Sequence, residues 1–237
     1  MNAPINTTKL LGIGLYSYAD AARFIRTPAR QLRRWMRGYE YKDQSGAVRS
    51  QPAVVDSELS TTGFDAISFR DLLELRFVRA FRAHDVPLQT IRRTAEAARE
   101  LFETTHPFTC RRFQTDGRKI FATVVEDSGG ESLIDLIARQ NVFAKVIAPS
   151  LYAGIEFDVG KGKALRWFPM TKSKAVVMDP QIRFGAPVLR NSSVPTIALA
   201  DAVKAEAGDV GRVARMYGIP PSSVRSAIRF ESAIGVR

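Results

Sequence analysis

Apolar residues near the start of the chain recur at spacings of three and four, which is the period of an amphipathic helix. Ser17 is a typical N-cap residue, and the alanines and isoleucine of the following segment, Tyr18–Ile25, fall at helical spacing. The pattern predicts a short helix over Tyr18–Ile25 and a turn at Arg26. Residues 1–15 are polar and contain glycine, which predicts a mobile arm.

A second helix is predicted directly after this turn. Thr27 is expected to be its N-cap and Pro28 its first residue, because proline lacks the N–H that would be unpaired at that position. The helix is expected to end at Arg37, since Gly38 favours the backbone of a C-terminal stop. Two short helices joined by a tight turn predict a helix-turn-helix.

The pattern beyond Gly38 predicts a wing and two longer helices. Two β-prone pieces, Tyr39–Tyr41 and Ala53–Val55, surround a Ser45-Gly46 turn and are typical of a wing hairpin. Ser68 is expected to cap the first long helix and Pro87 to open the second. Their apolar stripes are Phe69, Leu72, Leu73, Phe77, Ala80 and Phe81, then Leu88, Ile91, Ala95, Ala98, Leu101 and Phe102.

The middle of the chain changes character after residue 106. Phe113, an Asp116-Gly117 turn and Lys119–Val125 predict a β-hairpin. A helix is predicted over residues 131–147. Strands within Tyr152–Phe157 and Ala164–Phe168 are predicted to form a second hairpin around a glycine-containing turn.

The C-terminal part predicts a short strand at Val176–Met178, a loop-rich stretch, and then three helices. The first helix covers Ile197–Ala207, the second is capped by Asp209 and stopped by Gly218, and Pro220-Pro221 opens the third. Its expected buried residues are Val224, Ala227, Ile228 and Ala233. This second helix-turn-helix binds DNA or serves packing and dimerisation, since tri-helical folds serve both uses.

These elements predict a mainly helical α+β fold in three regions. Residues 1–106 form an N-terminal winged helix-turn-helix, residues 107–172 a small strand-containing middle, and residues 173–237 a C-terminal tri-helical domain with the second helix-turn-helix. No repeat at a fixed period is evident.

Basic charge is concentrated at the two ends of the chain, whose net charge is +11. Residues 1–50 hold nine lysines and arginines against three acids, and residues 171–237 hold ten against five. Basic surfaces attract polyanions because neutralised phosphates release condensed counterions. The alternative is a basic protein whose charge serves only solubility.

The second predicted helix concentrates arginines that can bind bases or phosphates. Arginine pairs with guanine edges and phosphates, and glutamine pairs with adenine. Leu32, Trp35 and Met36 are its expected core face, and the alternative is an arginine-rich face exposed only to solvent. The predicted DNA-binding residues, including one on the wing, are Thr27, Arg30, Gln31, Arg33, Arg34, Arg37 and Arg49.

Residues 16–102 resemble the layout of MerR-type regulators, with a helix-turn-helix, a wing and two helices that begin at ISFRDLLELRFVRAFRAHDVPLQTIRR. The resemblance implies that Tyr18–Ile25 supports the DNA-reading helix and that Arg49 lies on the wing. MerR-type proteins dimerise through a long following helix. Here strands are predicted instead, so a homodimer is expected to use the middle or C-terminal region.

Residues 175–234 resemble the family called domain of unknown function 433. The resemblance rests on Asp179, Pro180, Phe184, Gly185, Pro187, Val188 and Pro195, while Asn191-Ser192-Ser193 replaces the usual glycine-threonine. Together with the N-terminal pattern it is similar to VapB-type antitoxins. It implies a type II toxin–antitoxin module with a PIN-like nuclease toxin as partner. From the basic charge of the C-terminal region we expect that region to bind the toxin, with Arg183, Arg190 or Arg237 as candidates to pair with its carboxylates; the alternative is that these arginines are only solvated.

Enzyme and membrane classes find little support. One cysteine and two histidines make a poor metal set, and no phosphate loop, nucleophile elbow or zinc spacing is present. Asp56, Glu58 and Asp65 lie near one another in sequence, but a polar loop is the favoured interpretation. No signal peptide or membrane span is evident, and we expect a cytoplasmic protein without cofactor.

The hypothesis from the sequence is a DNA-binding regulator, specifically an antitoxin that represses its own operon as a homodimer. Two alternatives remain open: a free-standing transcription factor without a toxin, and a protein-interaction adaptor whose charge is incidental.

Overall fold

The computed structural model describes residues 10–126, 149–160 and 162–235. Helices dominate, and the strands form small two-stranded sheets, which confirms the α+β, mainly helical fold class with an N-terminal helix-turn-helix. The predicted helix over residues 131–147 lies outside the described residues.

The chain divides into two compact units. The N-terminal unit comprises Tyr16–Tyr152 and Phe157–Ala164, and the C-terminal unit comprises Met1–Leu15, Ala153–Glu156 and Leu165–Arg237. The region boundaries predicted after residues 106 and 172 stay predictions. The elements up to residue 152 are α1 (Tyr18–Ile25), α2 (Ala29–Arg37), β1 (Tyr39–Lys42), β2 (Val48–Gln51), α3 (Phe69–Arg82), α4 (Leu88–Phe102), α5 (Arg111–Glu126) and α6 (Pro149–Tyr152). The later elements are β3 (Ile155–Phe157), β4 (Ala164–Trp167), β5 (Val176–Val177), β6 (Val188–Leu189), α7 (Thr196–Ala205), α8 (Val210–Tyr217) and α9 (Pro221–Ala233).

Helix α1 begins and ends as its sequence predicts. The Ser17 hydroxyl accepts a hydrogen bond from the Asp20 N–H at 3.0 Å, which satisfies one of the unpaired donors of the first turn. Arg26 ends the helix in the left-handed conformation, with φ 55° and ψ 49°. Its N–H donates to the carbonyls of Ala22 and Arg23, which closes the turn of the helix-turn-helix.

The start of α2 differs from the prediction. Pro28, not Thr27, is the N-cap, and the helix begins at Ala29. The prediction for Thr27 was wrong because this side chain is buried and its hydroxyl donates to the Ile25 carbonyl at 3.5 Å, behind the turn. The backbone of Pro28, with φ −54° and ψ 136°, sets the entry into α2 instead.

Gly38 ends α2 where predicted, and any residue with a Cβ would be strained there. Its φ is 73°, a region that side chains with a Cβ rarely adopt. A Cβ atom at this position would also lie 2.3 Å from the Gln51 carbonyl oxygen. The glycine therefore allows the end of α2 to approach the second strand of the wing.

The wing is present, but its second strand was predicted too late in the chain. β1 and β2 pair antiparallel, with Tyr39 opposite Gln51, around the predicted Ser45-Gly46 turn. The predicted strand at Ala53–Val55 was wrong, because Val54 and Val55 are buried and both donate their N–H groups to the Trp35 carbonyl. They fasten the wing base to α2 rather than extend the sheet.

The core of the N-terminal unit lies between α3, α4 and α5. Its aromatic side chains pack in edge and stacked pairs with ring centroids 5.0–6.4 Å apart: Phe77, Phe81, Phe102, Phe108, Phe113, Phe121 and Tyr152. Buried aromatic pairs of this geometry add about 0.5–1.5 kcal/mol each beyond the area they bury.

The hairpin predicted from Phe113 to Val125 was wrong, because these residues belong to α5. Phe113, Ile120, Phe121 and Val124 are buried at helical spacing. Gly117, which suggested a turn, lies within the helix, and a Cβ there would be 2.9 Å from the Phe113 ring. The glycine provides space for an aromatic side chain instead of a chain reversal. The hairpin predicted farther along is present as β3 and β4.

A buried carboxylate, Asp71, joins three segments of the N-terminal unit. It completes a capping box with Ser68 at the start of α3, as the predicted cap position requires. Its Oδ1 accepts from Nε2 of His106 at 2.7 Å and from the Glu58 N–H at 3.2 Å. Nearby Glu74 is buried and accepts the Thr109 N–H at 2.9 Å. Both buried carboxylates thus accept hydrogen bonds from neighbouring segments.

The C-terminal unit contains the three predicted helices. Asp209 caps α8 by accepting the Arg212 N–H, Gly218 stops it at φ 63°, and Pro220 is the N-cap of α9. Val224 and Ala227 are buried as predicted. The core of the three helices and β6 consists of Leu189, Leu199, Val203, Val213, Ala214, Val224 and Ala227.

Two details of the C-terminal unit correct the prediction. Ala233 is exposed, and Phe230 and Glu231 are the buried residues of the last turns of α9, because the inward face of the helix passes through them. The mobile arm predicted for residues 1–15 was wrong for residues 10–15. Leu10 is buried, and the Leu15 N–H donates to the Phe184 carbonyl at 2.9 Å.

Candidate nucleic-acid interface

Helix α2 has one apolar face and one face of arginines. Leu32, Trp35 and Met36 are buried, as predicted, and fix the rotation of the helix. Successive residues of an α-helix are about 100° apart, so Arg30, Arg34 and Arg37 lie within about 60° of one another, opposite this core. All three are exposed. Arg33 flanks them on the side of α1, and Gln31 flanks them on the other side.

Two of the arginines lie over aromatic rings at the two flanks of α2. The Arg33 guanidinium carbon is 4.6 Å from the ring centroid of Tyr18 in α1. That of Arg34 is 4.8 Å from the ring of Tyr39 in β1. Burial raises the pKa of Tyr18, although the nearby guanidinium of Arg37 counters it. The rings support these long side chains without neutralising them.

Two other predicted site residues form ion pairs. Arg37 Nη2 lies 2.6 Å from Oδ1 of Asp65, and both side chains are more than half exposed. On the wing, Arg49 Nε lies 2.9 Å from Oδ2 of Asp43. The Ser45 hydroxyl and the Arg49 guanidinium hold the pKa of Asp43 below its usual value. Arg49 is thus on the wing, as predicted, and next to the turn.

The side chains of Arg30 and Gln31 have no hydrogen-bond or ion-pair partner among the described residues, and both are exposed. They line a cavity of about 470 Å³ beside α2. Arg82 also lines it and is fixed by a 2.8 Å hydrogen bond to the Val86 carbonyl. The lining residues include three arginines and no carboxylate: Pro28, Arg30, Gln31, Arg34, Trp35, Tyr39, Arg82 and Leu88.

Thr27 occupies a different environment from the other predicted site residues. Its side chain is 6% exposed and its hydroxyl is bonded behind the turn, whereas Arg30, Arg33, Arg34, Arg37 and Arg49 are exposed. The structure therefore brings four arginines and Gln31 together on α2 and places Arg49 on the adjoining wing.

The wing is fastened to α4 by two arginines that the sequence analysis did not single out. Arg92 is 3% exposed, and its guanidinium donates to the carbonyls of Pro52 and Ala53 at 2.9 and 3.3 Å. Arg99 donates to the Val54 carbonyl at 2.5 Å. The signal was present in the sequence, because Arg92 lies on the apolar stripe of α4, where a charge requires partners.

The contacts that hold the arginines are weak compared with those that DNA offers. A cation–π contact at an exposed site is worth about 0.5–1 kcal/mol, and an exposed ion pair about 0–1 kcal/mol. A bidentate arginine–guanine contact discriminates by about 1–3 kcal/mol. The contacts that Arg33, Arg34 or Arg37 would lose on turning toward a polyanion are therefore weaker than the contacts they would gain.

The acidic loop residues do not assemble a metal site. Asp56 pairs with Arg99, Glu58 with Arg70, and Asp65 with Arg37. Within residues 10–126, 149–160 and 162–235, no group of three or more histidine, cysteine or acidic side chains is arranged to hold a metal ion. Across the same ranges, no helix has both the length and the apolar composition needed to cross a membrane.

Comparisons with known proteins agree with this geometry. Residues 14–95 match the sequence profile of the family described as "Putative DNA-binding HTH domain". The chain is 28% identical over 225 residues to "Putative antitoxin VapB45" of Mycobacterium tuberculosis (strain ATCC 25618 / H37Rv), which covers 91% of this chain and 93% of that protein.

A solved structure has the same fold. The chain aligns with the crystal structure of Rv2018 from Mycobacterium tuberculosis with a TM-score of 0.68 and 24% identity, over 92% of this chain and 99% of that one. The predicted resemblance of residues 175–234 to domain of unknown function 433 stays a prediction. Residues 14–95 carry the profile match, the helix-turn-helix and the wing together, and the chain thus has an N-terminal helix-turn-helix domain of DNA-binding type.

Proposed function

We propose that this protein is a sequence-specific DNA-binding regulator, and that it is the antitoxin of a type II toxin–antitoxin module that represses its own operon. The observation that carries the first part is the exposed face of α2, a helix with four arginines and no acidic residue, beside the wing. The second part is supported by the similarity to a protein named as an antitoxin along 91% of the chain.

In this proposal α2 enters the major groove and the wing lies over the flanking backbone. Second helices of helix-turn-helix motifs read base edges mainly with their N-terminal residues. Arg30, Gln31 and Arg34 therefore contact bases, and Arg33, Arg37 and Arg49 contact phosphates. Thr27 is buried in the turn between α1 and α2, so in this proposal its side chain supports the turn and does not contact DNA. A single short helix reads few base pairs, so a homodimer on an inverted repeat is proposed.

The toxin is proposed to bind the C-terminal unit. Arg183 and Arg190 are exposed on the two sides of β6: Arg183 begins the short turn that also exposes the Phe184 side chain at 53%, and Arg190 follows the strand. A metal-dependent nuclease gathers carboxylates around its ion, and arginine pairs with carboxylates in a bidentate manner. Arg237, the third residue predicted for this role, lies outside the described residues. Charge complementarity then makes association fast and sensitive to salt.

The DNA proposal is tested with the full chain and the duplex upstream of its own gene. The variant Arg30→Ala/Arg34→Ala is compared with Arg79→Ala/Lys119→Ala, which removes the same charge from exposed positions outside α2. Loss of base contacts costs about 1–3 kcal/mol each, so we expect affinity to fall by about 5- to 150-fold per residue. The control variant is expected to bind within about threefold of the unchanged chain.

Fluorescence anisotropy across a salt series separates the roles of the arginines. Arg37→Ala is expected to lower the slope of log K against log salt by about 0.9, because one phosphate contact is lost. Equal binding by the α2 variant and the unchanged chain, with both folded by circular dichroism, contradicts the assignment of α2.

The antitoxin proposal is tested by co-expression with the adjacent open reading frame. We expect an acidic, nuclease-like product to be retained by the full chain, and Arg183→Ala/Arg190→Ala to weaken that retention. Retention of no partner, with DNA binding intact, favours the free-standing transcription factor. Absence of DNA binding at any salt concentration favours the protein-interaction adaptor.

A further inference from the structure

The helix pair α8–α9 repeats the backbone of the pair α1–α2. Both first helices contain eight residues, Tyr18–Ile25 and Val210–Tyr217. Each is capped by a side-chain oxygen that accepts the N–H three residues later, from Ser17 in one pair and Asp209 in the other. The two caps are 192 positions apart in sequence, and the same spacing relates the rest of both motifs.

The turns between the helices correspond residue by residue. Arg26 and Gly218 are both left-handed, with φ 55° and 63°, and each donates its N–H to the carbonyls three and four residues earlier. Two residues later, Pro28 and Pro220 are the N-caps of the second helices, with ψ 136° and 143°. The pairs also share buried positions, since Leu32 and Val224 are each 0% exposed.

The outward faces of the second helices correspond as well. At the same spacing Arg225 falls at the position of Arg33, and Arg229 at that of Arg37. Ser222, Arg225 and Arg229 are exposed and lie within about 60° of one another around α9, opposite Val224 and Ala227. This face keeps two of the four α2 arginines, with Ser222 at the position of Arg30 and Ser226 at that of Arg34.

The charge of α9 favours a polyanion as its occupant. The acid of this helix, Glu231, is buried and accepts a hydrogen bond from the Thr196 hydroxyl at 2.5 Å, so it does not offset the outer face. In the described part of the chain, the side chains of Arg225 and Arg229 have no ion-pair or hydrogen-bond partner. The basic side chains Lys204 and Arg212, by contrast, pair with Asp201 and Glu206.

We infer that α9 is a second DNA-reading helix, which binds duplex DNA through Ser222, Arg225 and Arg229. Serine hydroxyls bond to bases or phosphates, and arginine forks onto guanine or phosphate oxygens. The inference is independent of the proposed antitoxin role. It gives one chain two DNA-binding helix-turn-helix motifs, so the length of DNA that a protomer contacts exceeds what α2 alone reads.

The test uses the full chain with two duplexes of about 60 base pairs, one from upstream of its gene and one of scrambled sequence. Arg225→Ala/Arg229→Ala is compared with Lys172→Ala/Lys204→Ala, which removes two exposed charges elsewhere in the C-terminal unit. We expect the α9 variant to lose about tenfold or more in affinity for the upstream duplex. The salt slope is expected to fall by about 1–2 as phosphate contacts are lost, whereas the control keeps both.

A second variant reports position independently of affinity. Ser222→Cys labelled with a photo-crosslinker is expected to capture DNA, while Lys172→Cys labelled in the same way is not. Unchanged affinity and slope in the α9 variant, with no crosslink from position 222, overturns the inference. A change of oligomeric state or of partner retention without any change in DNA binding also overturns it, and makes α9 a protein-binding surface.

The two assignments fail in distinguishable ways. Loss of binding only in the α2 variant supports α2 and refutes α9, and loss only in the α9 variant does the reverse. If the unchanged chain binds neither duplex at low salt, both assignments are wrong.

Discussion

Replacement of Arg92 by alanine is expected to release the wing while the helix-turn-helix stays folded. The guanidinium is buried and donates to two backbone carbonyls of residues 52 and 53, and also to Gln51 and Gln89 side-chain oxygens. Hydrogen bonds that involve a charged group contribute about 1.5–3 kcal/mol each. Since the freed carbonyls regain water, we expect a net loss of about 2–4 kcal/mol in the free energy of unfolding.

The decisive measurement is hydrogen exchange of the wing together with DNA affinity. Backbone amides of residues 48–55 are expected to exchange faster in Arg92→Ala, because the segment then opens without global unfolding. DNA affinity is expected to fall about fivefold or more at a temperature where the variant remains folded, since Arg49 is no longer held at a fixed position beside α2. Arg92→Lys is expected to recover part of the loss, because one ammonium reaches one carbonyl but does not form the fork.

Two controls separate this role from general destabilisation. Arg79→Ala removes an exposed charge from α3. Leu75→Ala removes a fully buried side chain from the same helix and costs a comparable 2–5 kcal/mol. If Leu75→Ala weakens DNA binding and accelerates wing exchange as much as Arg92→Ala does, Arg92 contributes only stability and the reasoning about wing position fails.

Two further changes test the interior and the helix end. Burial raises the pKa of Glu74 from 4.5 to about 7, although the nearby His106 acts in the opposite direction. Between these two pKa values the folded state keeps a proton that the unfolded state releases. The free energy of unfolding should therefore fall as pH rises from about 5 to 8. Glu74→Gln, whose amide oxygen still accepts the Thr109 N–H, should flatten the dependence of unfolding free energy on pH in urea denaturation. The raised pKa of His106 leaves a smaller loss of stability with rising pH. If the dependence on pH is the same in the variant, Glu74 is not the group responsible. Gly38→Ala should lower the free energy of unfolding by about 1–3 kcal/mol or more, because φ is 73° and the new Cβ meets the Gln51 carbonyl oxygen. Equal stability of the variant in calorimetry would contradict the close approach of α2 to the wing.

The helix-turn-helix was predictable because its signals are local. Ser17, Pro28 and Gly38 each act through backbone groups within four residues, and a sequence displays such groups directly. The wing strand was misplaced because β2 is exposed and polar, whereas the valines that follow it are buried for another purpose. Periodicity does not distinguish a valine in a sheet from one that packs under a helix end.

The remaining errors depend on contacts between distant residues. Asp116-Gly117 has turn chemistry, and only the Phe113 ring against the glycine explains why the segment is helical. Likewise the arginines of α2 were identified from sequence, but the aromatic rings and the acidic residue that contact them were not. The partner of Arg37 is 28 residues away. The second helix-turn-helix at α8–α9 was predicted, but its residue-by-residue correspondence with α1–α2 was not, because that lies in caps and φ angles and not in a repeated sequence.

The position of Asp71 has a consequence for how the N-terminal unit unfolds. This carboxylate joins the post-wing loop at Ser57 and Glu58, the start of α3 at Ser68, and the chain leading to α5 at His106. These segments run from Ser57 to His106, about a third of the unit's residues, and opening any of them takes hydrogen-bond partners from the same buried carboxylate. They therefore open together rather than one by one, so the unit behaves as a single cooperative body from the loop after the wing to α5.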